Sequence, residues 1–117
     1  MSEELVQDVD DIRDLELSVV DEDVTKFQMD CLRHVAYEGN SKGLSIKESL
    51  EREYGHPVNH SRLYPNLDEI VDMGLVRKGK IDNRTNSYRL TEAGLEVVAQ
   101  YAQLWIEARE SRPNTLV

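Results

Sequence analysis

Four consecutive polar side chains in the middle of the chain could form hydrogen bonds with the edges of nucleic-acid bases. They are Asn59, His60, Ser61 and Arg62. In the major groove of DNA an Asn amide can pair with adenine, and an Arg guanidinium with guanine, each through two hydrogen bonds. The alternative is that these residues only cap a helix and face solvent. The order of the elements around them, set out below, favours base recognition.

Basic side chains cluster in a second segment, between positions 77 and 89. Beside a single acid, this segment contains five bases, Arg77, Lys78, Lys80, Arg84 and Arg89. Lys78 and Lys80 would contact phosphates, which supplies affinity and register without sequence information. Arg84 stands in a polar turn with Asn83 and Asn86, and it would enter the minor groove, whose negative potential attracts Arg. The alternative is a basic hairpin that contributes only to solubility.

The acidic residues are concentrated at the N-terminus, so the overall charge does not exclude a nucleic-acid ligand. The formal net charge is −9, and residues 1–23 hold ten acids against one base, Arg13. This segment alone therefore carries the whole net charge, and the rest of the chain is neutral. Phosphate binding needs a local positive patch, and global charge is a weak guide to it. The segment is either a mobile acidic tail or an arm that packs on the core or on a partner.

Patterns typical of enzymes, metal sites and membrane spans are missing from the sequence. Cys31 and His34 are three positions apart and His56 and His60 are four apart, but no Cys-x-x-Cys pair or carboxylate cluster completes a zinc site. Cys31 lies on an apolar helical stripe, so we expect a buried core residue without a redox role. We expect no catalytic residue, no metal, no cofactor and no membrane partner. No small-molecule ligand is evident from the sequence, and a small-molecule sensor stays open as a third alternative. The lone cysteine and the absence of a secretory signal predict a cytoplasmic protein.

Apolar spacing and end signals predict two helices before the polar tetrad. The first begins after Thr25, a good N-cap, and ends at Gly39. The second carries a capping box, in which Ser45 is followed three residues later by Glu48, and it ends at Gly55.

A third helix and a hairpin follow. The helix starts around 59–61, accommodates Pro65 within its first two turns and ends at Gly74. Alternating strands over 75–80 and 87–90, joined by the polar turn, predict a two-stranded wing.

The last helix opens at Thr91 and runs to about Arg109. The predicted fold is therefore mainly α with a small β-hairpin: a winged helix-turn-helix followed by a long C-terminal helix. The corresponding domain division is an acidic arm (1–23), a winged-helix domain (24–91) and a dimerisation helix (92–112).

Motifs in the second half of the chain resemble a known family. The segment Leu63-Tyr64-Pro65-Asn66-Leu67 is followed by Gly74-Leu75-Val76, and Tyr88-Arg89-Leu90-Thr91-Glu92-Ala93-Gly94 leads from the second wing strand into the last helix. Together they resemble the PadR family of winged-helix regulators over roughly residues 26–106. The resemblance implies a dimeric transcriptional regulator, usually a repressor, with Tyr64 near a phosphate. The acidic character and the lead-in at 58–60 are similar to haloarchaeal, RosR-like members linked to reactive-oxygen responses, which implies a stress-responsive regulator. The acidic arm and the single long C-terminal helix depart from many members and do not favour a ligand pore between subunits.

The last helix indicates a dimer independently of this resemblance. It carries two neighbouring apolar seams, and only one of them can pack on its own domain. In the alternative, both seams fold back onto the N-terminal arm of the same chain. The residues predicted to lie in the dimer interface are Leu95, Val98, Tyr101, Ala102 and Trp105.

These observations predict sequence-specific binding of a homodimer to a pseudo-palindromic DNA operator. The alternative is a winged-helix protein-interaction module whose basic hairpin contacts an acidic protein. Phosphate contacts are expected at the start of the second helix, at the family tyrosine and on the wing. The complete set of predicted DNA-binding residues is Ser45, Lys47, Asn59, His60, Ser61, Arg62, Tyr64, Lys78, Lys80, Asn83, Arg84 and Asn86.

Overall fold

The computed structural model describes residues 23–111, which form four helices and a three-stranded sheet. In chain order the elements are α1 (Lys26–Glu38), β1 (Ser41–Lys42), α2 (Gly43–Tyr54), α3 (His60–Asp72), β2 (Val76–Lys80), β3 (Asn86–Leu90) and α4 (Glu92–Ser111). This order is that of a winged helix-turn-helix followed by a long helix, so the predicted fold class is confirmed. Of the predicted arm only Asp23 lies within the described residues, and position 112 of the predicted dimerisation helix lies outside them.

The core of this fold lies where α1, α2 and α3 meet. Their inward side chains have no solvent exposure: Cys31, Leu32, Val35, Ile46, Leu50, Leu63, Leu67 and Ile70. On each helix they recur at three- and four-residue steps, so they occupy one face. Burial of a large aliphatic side chain contributes roughly 1.5–3 kcal/mol. This apolar face therefore determines which side of α3 is turned to solvent.

The helix starts agree with the sequence prediction for α1 but not for α2. Thr25 is the N-cap of α1, and its side chain and that of Gln28 form a reciprocal capping box. The capping box predicted at Ser45 and Glu48 is wrong, because α2 begins at Gly43 with Lys42 as its N-cap and without a side-chain cap. Ser41 and Lys42 are extended because they pair with β3, and the helix begins directly after them, two residues before Ser45.

The sheet contains one strand more than the sequence predicts. β2 and β3 form the predicted antiparallel hairpin, and β1 pairs with the other edge of β3, which gives the order β1-β3-β2. In the added strand Ser41 pairs with Tyr88 and Lys42 with Ser87. Two residues are too few to leave an alternating apolar pattern, so only the tertiary pairing reveals this strand.

Helix α4 is 20 residues long and returns across α1 and β3. The Thr91 hydroxyl accepts a hydrogen bond from the Gly94 backbone N–H at 3.0 Å, which caps the helix start. Val97 is buried in the core cluster. Neither α4 nor any other helix within residues 23–111 is long and apolar enough to cross a membrane.

Candidate nucleic-acid interface

Helix α3 turns its polar N-terminus to solvent. Asn59 is the N-cap, and Asn59, His60 and Ser61 are all exposed, whereas Leu63 and Leu67 behind them are buried. The Asn59 side chain forms no capping hydrogen bond, so its amide is available to another partner. The structure thus brings Asn59, His60 and Ser61 into one solvent-facing turn, and the fourth predicted base-contacting residue, Arg62, is exposed as well.

Arg62, the fourth of these residues, contacts α1. Its guanidinium carbon lies 3.9 Å from the centroid of the Phe27 ring, a cation–π contact. Arg62 and Phe27 also line a small cavity of about 240 Å³ together with Asp30 and Tyr54. A base contact by Arg62 stays a prediction, and it requires the guanidinium to leave Phe27. The contact joins two helices that are far apart in sequence, and periodicity cannot pair such residues.

Gln28 on α1 holds the middle of α3, a role that sequence reasoning missed. Its buried side-chain amide donates hydrogen bonds to Asn66 Oδ1 at 2.9 Å and to Glu69 Oε1 at 2.5 Å. A buried amide with both partners in place fixes the orientation of one helix relative to the other. The spacing of Thr25 and Gln28, three positions apart, could have indicated the capping box. It could not have indicated the contact of Gln28 with α3.

Tyr64 lies between the tip of α3 and the start of α2. The His60 ring stacks on it, with the centroids 5.5 Å apart and the planes at 10°. The Tyr64 ring is half-buried, and its hydroxyl forms no hydrogen bond with another residue of the 23–111 range. A phenol hydroxyl in this position can donate to a phosphate oxygen. The geometry is therefore compatible with the phosphate contact that the family resemblance implies.

Two predicted phosphate contacts on α2, Ser45 and Lys47, are only partly accessible. Ser45 is half-buried, and the Lys47 ammonium forms an ion pair with Glu51 at 2.9 Å. Glu51 also accepts a hydrogen bond from the Val58 backbone N–H at 2.9 Å. The bond from Val58, and after it the bond from Lys47, lower the pKa of the Glu51 carboxyl. Glu51, which sequence reasoning missed, thus ties α2 to the connection that leads into α3.

The wing, defined here as residues 76–90, continues the exposed surface of α3. Lys78 Nζ lies 3.3 Å from Asp68 Oδ1 on α3, which joins the basic side of β2 to that helix. Lys80, Asn83 and Arg84 are exposed. The structure therefore supports a single surface composed of the α3 helix and the wing strand beside it.

Asp82 shapes the turn of the wing. One carboxylate oxygen accepts hydrogen bonds from the backbone N–H groups of Arg84 at 2.8 Å and Thr85 at 2.9 Å. These bonds from Arg84 and Thr85 lower the pKa of Asp82. An Asp that binds backbone groups two and three residues ahead stabilises a tight turn. Sequence reasoning placed Asp82 in the polar turn and counted it as the one acid of a basic segment, but it did not predict that the Asp82 carboxylate fixes the backbone from which Arg84 projects.

A groove of about 610 Å³ runs between α1 and α4. Its apolar side is formed by Val24, Met29, Val98, Tyr101, Ala102 and Trp105. The Trp105 side chain is 75% exposed, and Ala102 is exposed as well, whereas Leu95, Val98 and Tyr101 are half-buried. Four of the five predicted interface residues, Val98, Tyr101, Ala102 and Trp105, thus line this groove, and an apolar surface of this kind is typical of interaction sites. Sequence reasoning found no pocket, because two helices far apart in sequence form it.

Cys31 has no solvent exposure, and burial raises the pKa of its thiol to about 12. Since the thiolate is the reactive form, we expect the native protein not to react with a thiol reagent near neutral pH. The thiol should react only after unfolding in guanidinium chloride, which a colorimetric thiol assay measures in both states. Reaction of the folded chain at the rate of a free thiol would contradict this expectation.

The histidines that could be drawn as metal ligands have other contacts. His34 Nε2 lies 2.9 Å from Glu53 Oε1, His56 stacks on Tyr54, and His60 stacks on the ring already described. Across residues 23–111, no group of three or more His, Cys, Asp or Glu side chains converges on a point that could hold a metal ion.

Comparison with known proteins gives one family and several related structures. Residues 32–100 match the family described as "Transcriptional regulator PadR-like family". RosR from H. salinarum, whose structure is described as grown from NaBr, is 41% identical in sequence to this chain. The TM-score is 0.68, and the alignment covers 80% of this chain and 83% of that chain. A complex structure of hsRosR is also 41% identical, with a TM-score of 0.70 and coverage of 84% and 82%. A comparison with curated proteins gives no significant match.

A more distant structure shares the fold alone. A probable transcriptional regulator from Pseudomonas aeruginosa is 16% identical, with a TM-score of 0.57 over 86% of this chain and 74% of that chain.

Proposed function

Because the chain belongs to the PadR-like family of transcriptional regulators, we propose that it binds double-stranded DNA sequence-specifically through the tip of α3 and the wing. The observation that carries this proposal is the contact of Lys78 with Asp68, which makes the two elements one surface. A helix in the major groove and a basic hairpin beside it can then bind the same duplex.

Each predicted DNA-binding residue has a role in this proposal. Base contacts come from Asn59, His60 and Ser61, and from Arg62 once it leaves Phe27. The minor-groove contact comes from Arg84. Phosphate and other backbone contacts come from Ser45, Lys47, Tyr64, Lys78, Lys80, Asn83 and Asn86.

The protein acts as a homodimer in this proposal. Trp105 is largely exposed beside an apolar groove on the same chain, so a two-fold arrangement can cover both surfaces at once. Two recognition helices related by that axis would reach half-sites about 34 Å apart, which requires a pseudo-palindromic operator.

Repression, cytoplasmic location and the absence of catalysis complete the proposal. An operator-bound dimer blocks transcription by occupying DNA, and it needs no chemistry at its surface. The family is one of transcriptional regulators, and a transcriptional regulator acts in the compartment that contains the DNA.

Removal of the wing arginine tests the DNA-binding surface. Arg84→Ala is expected to weaken binding to a duplex of about 30 base pairs by roughly tenfold, since it removes one charge-assisted contact. It should also reduce the slope of log affinity against log salt concentration by about 1. Fluorescence anisotropy at several KCl concentrations measures both quantities.

Arg109→Ala is the matched control, because it removes the same charge from the exposed far end of α4. An equal loss of DNA affinity in Arg84→Ala and Arg109→Ala would indicate that only the net charge of the protein matters and that the wing makes no specific contact. If the unmodified chain retains an acidic protein in a pull-down and shows no salt-dependent DNA binding, the protein-interaction alternative is favoured.

A further inference from the structure

Gly43, the first residue of α2, is in very close contact with the Tyr64 ring. A Cβ atom at Gly43 would lie 2.7 Å from Tyr64 Oη, 2.8 Å from Cε1 and 3.1 Å from Cζ. The three glycines with positive φ are Gly39, Gly55 and Gly74, so the backbone at Gly43 would accept any residue. The requirement for glycine at this position therefore comes from the ring alone.

The same ring also contacts a neighbouring side chain of α3. His60 stacks on Tyr64 with nearly parallel planes, so the ring touches both the start of α2 and the imidazole of His60. Lys42, the N-cap of α2, provides no side-chain cap, and the first N–H groups of a helix have no partner within it. The Tyr64 hydroxyl thus lies beside backbone donors that favour an anion.

We propose that Gly43 is a positioning residue for DNA binding: the missing side chain lets the Tyr64 hydroxyl lie at the start of α2, where one backbone phosphate can accept hydrogen bonds from both. This inference rests on the proposed function. It adds a residue outside the predicted contact set, and it assigns that residue an indirect role.

The effect of a methyl group at Gly43 on stability should be small. The atoms it would meet belong to the far end of a side chain, so the Tyr64 ring can swing away while the backbone stays in place. Ala also has a higher helix propensity than Gly. Gly43→Ala should therefore still fold, with a Tm lowered by a few degrees at most because the Tyr64 ring gives up part of its packing on the core, and it should lose the phosphate contact.

A double-mutant cycle tests this coupling on the full chain. Gly43→Ala and Tyr64→Phe are each expected to weaken binding to a random-sequence duplex about tenfold, and the double variant no further, because both remove the same hydrogen bond. The salt slope should stay unchanged, because a phenol releases no counterion. Additive losses in the double variant, or binding by Gly43→Ala equal to that of the unmodified chain, would overturn the inference.

A second readout does not depend on DNA. The chain has three histidines, so the imidazole proton resonances of His60 can be followed by NMR. Loss of the ring stack in Gly43→Ala should shift the His60 resonances and leave those of His34 and His56 in place. Unshifted His60 resonances would show that the ring did not move, which contradicts the steric argument. If the unmodified chain binds neither this duplex nor any duplex selected from a random-sequence pool, the proposed function fails, whereas DNA binding without the Gly43 effect overturns only this inference.

Discussion

Gly94→Ala is expected to lower the free energy of unfolding by about 3 kcal/mol, the upper range for overpacking in a tight contact. A Cβ atom at Gly94 would lie 2.0 Å from the Leu75 carbonyl oxygen and 3.0 Å from its carbon. These are backbone atoms, and the same carbonyl accepts a hydrogen bond from the Thr91 N–H at 3.0 Å. The Thr91 hydroxyl also donates to the Gly74 carbonyl at 2.6 Å. The methyl group can therefore be accommodated only by displacing α4 from the turn that follows α3.

Thermal unfolding measures this effect, with an expected fall in Tm of roughly 10–20 °C at fixed protein concentration. Gly79→Ala is the matched control, because its Cβ would meet only the Ser87 hydroxyl oxygen, at 3.2 Å. A rotation of that side chain relieves the contact, so the control should change Tm by a few degrees at most. An unchanged Tm for Gly94→Ala would show that the close packing of α4 on the turn is not required.

Trp105→Ala is expected to convert the proposed dimer to a monomer at micromolar concentration while leaving the protomer folded. Truncation of a central Trp at an interface costs about 2–4 kcal/mol, which is a 30- to 1000-fold rise in the dimer dissociation constant. The protomer should lose little stability, because the Trp105 side chain is 75% exposed. Light scattering coupled to size exclusion measures the mass, and circular dichroism checks the fold.

Tyr37→Ala provides the control for this variant. Tyr37 is an aromatic residue of similar exposure, 71%, and it does not line the groove between α1 and α4. The control should keep the mass of the unmodified chain. A Trp105→Ala protein with unchanged mass, or an unmodified chain that is monomeric at high concentration, would contradict the proposed dimer.

DNA affinity should follow the loss of the dimer, since two half-sites held by one molecule bind more tightly than two separate ones. Trp105→Ala should therefore weaken operator binding without any change at α3 or the wing. This outcome would separate the proposed dimer interface from the proposed DNA-binding surface, because Arg84→Ala should weaken DNA binding at unchanged mass.

The sequence by itself determined the identity and order of the major elements. The apolar steps of α1 and α3 indicated their buried faces, Gly39 and Gly55 marked helix ends, and the polar turn within 82–86 indicated the hairpin. These are local signals, because a helix face or a turn depends on residues a few positions apart. The motif around Tyr64 added the family, which the comparison with known proteins confirmed.

Only the tertiary structure decided which side chains meet across elements. It added the strand β1, moved the start of α2 to Gly43, and placed Arg62 on Phe27. Each of these features depends on atoms brought together from distant positions, where close packing and strand pairing override local preference. Gly43 and Gly94 are the clearest examples of residues whose requirement depends on contacts with distant parts of the chain. Nothing in the sequence around them indicates that a ring or a carbonyl occupies the space that a side chain would need.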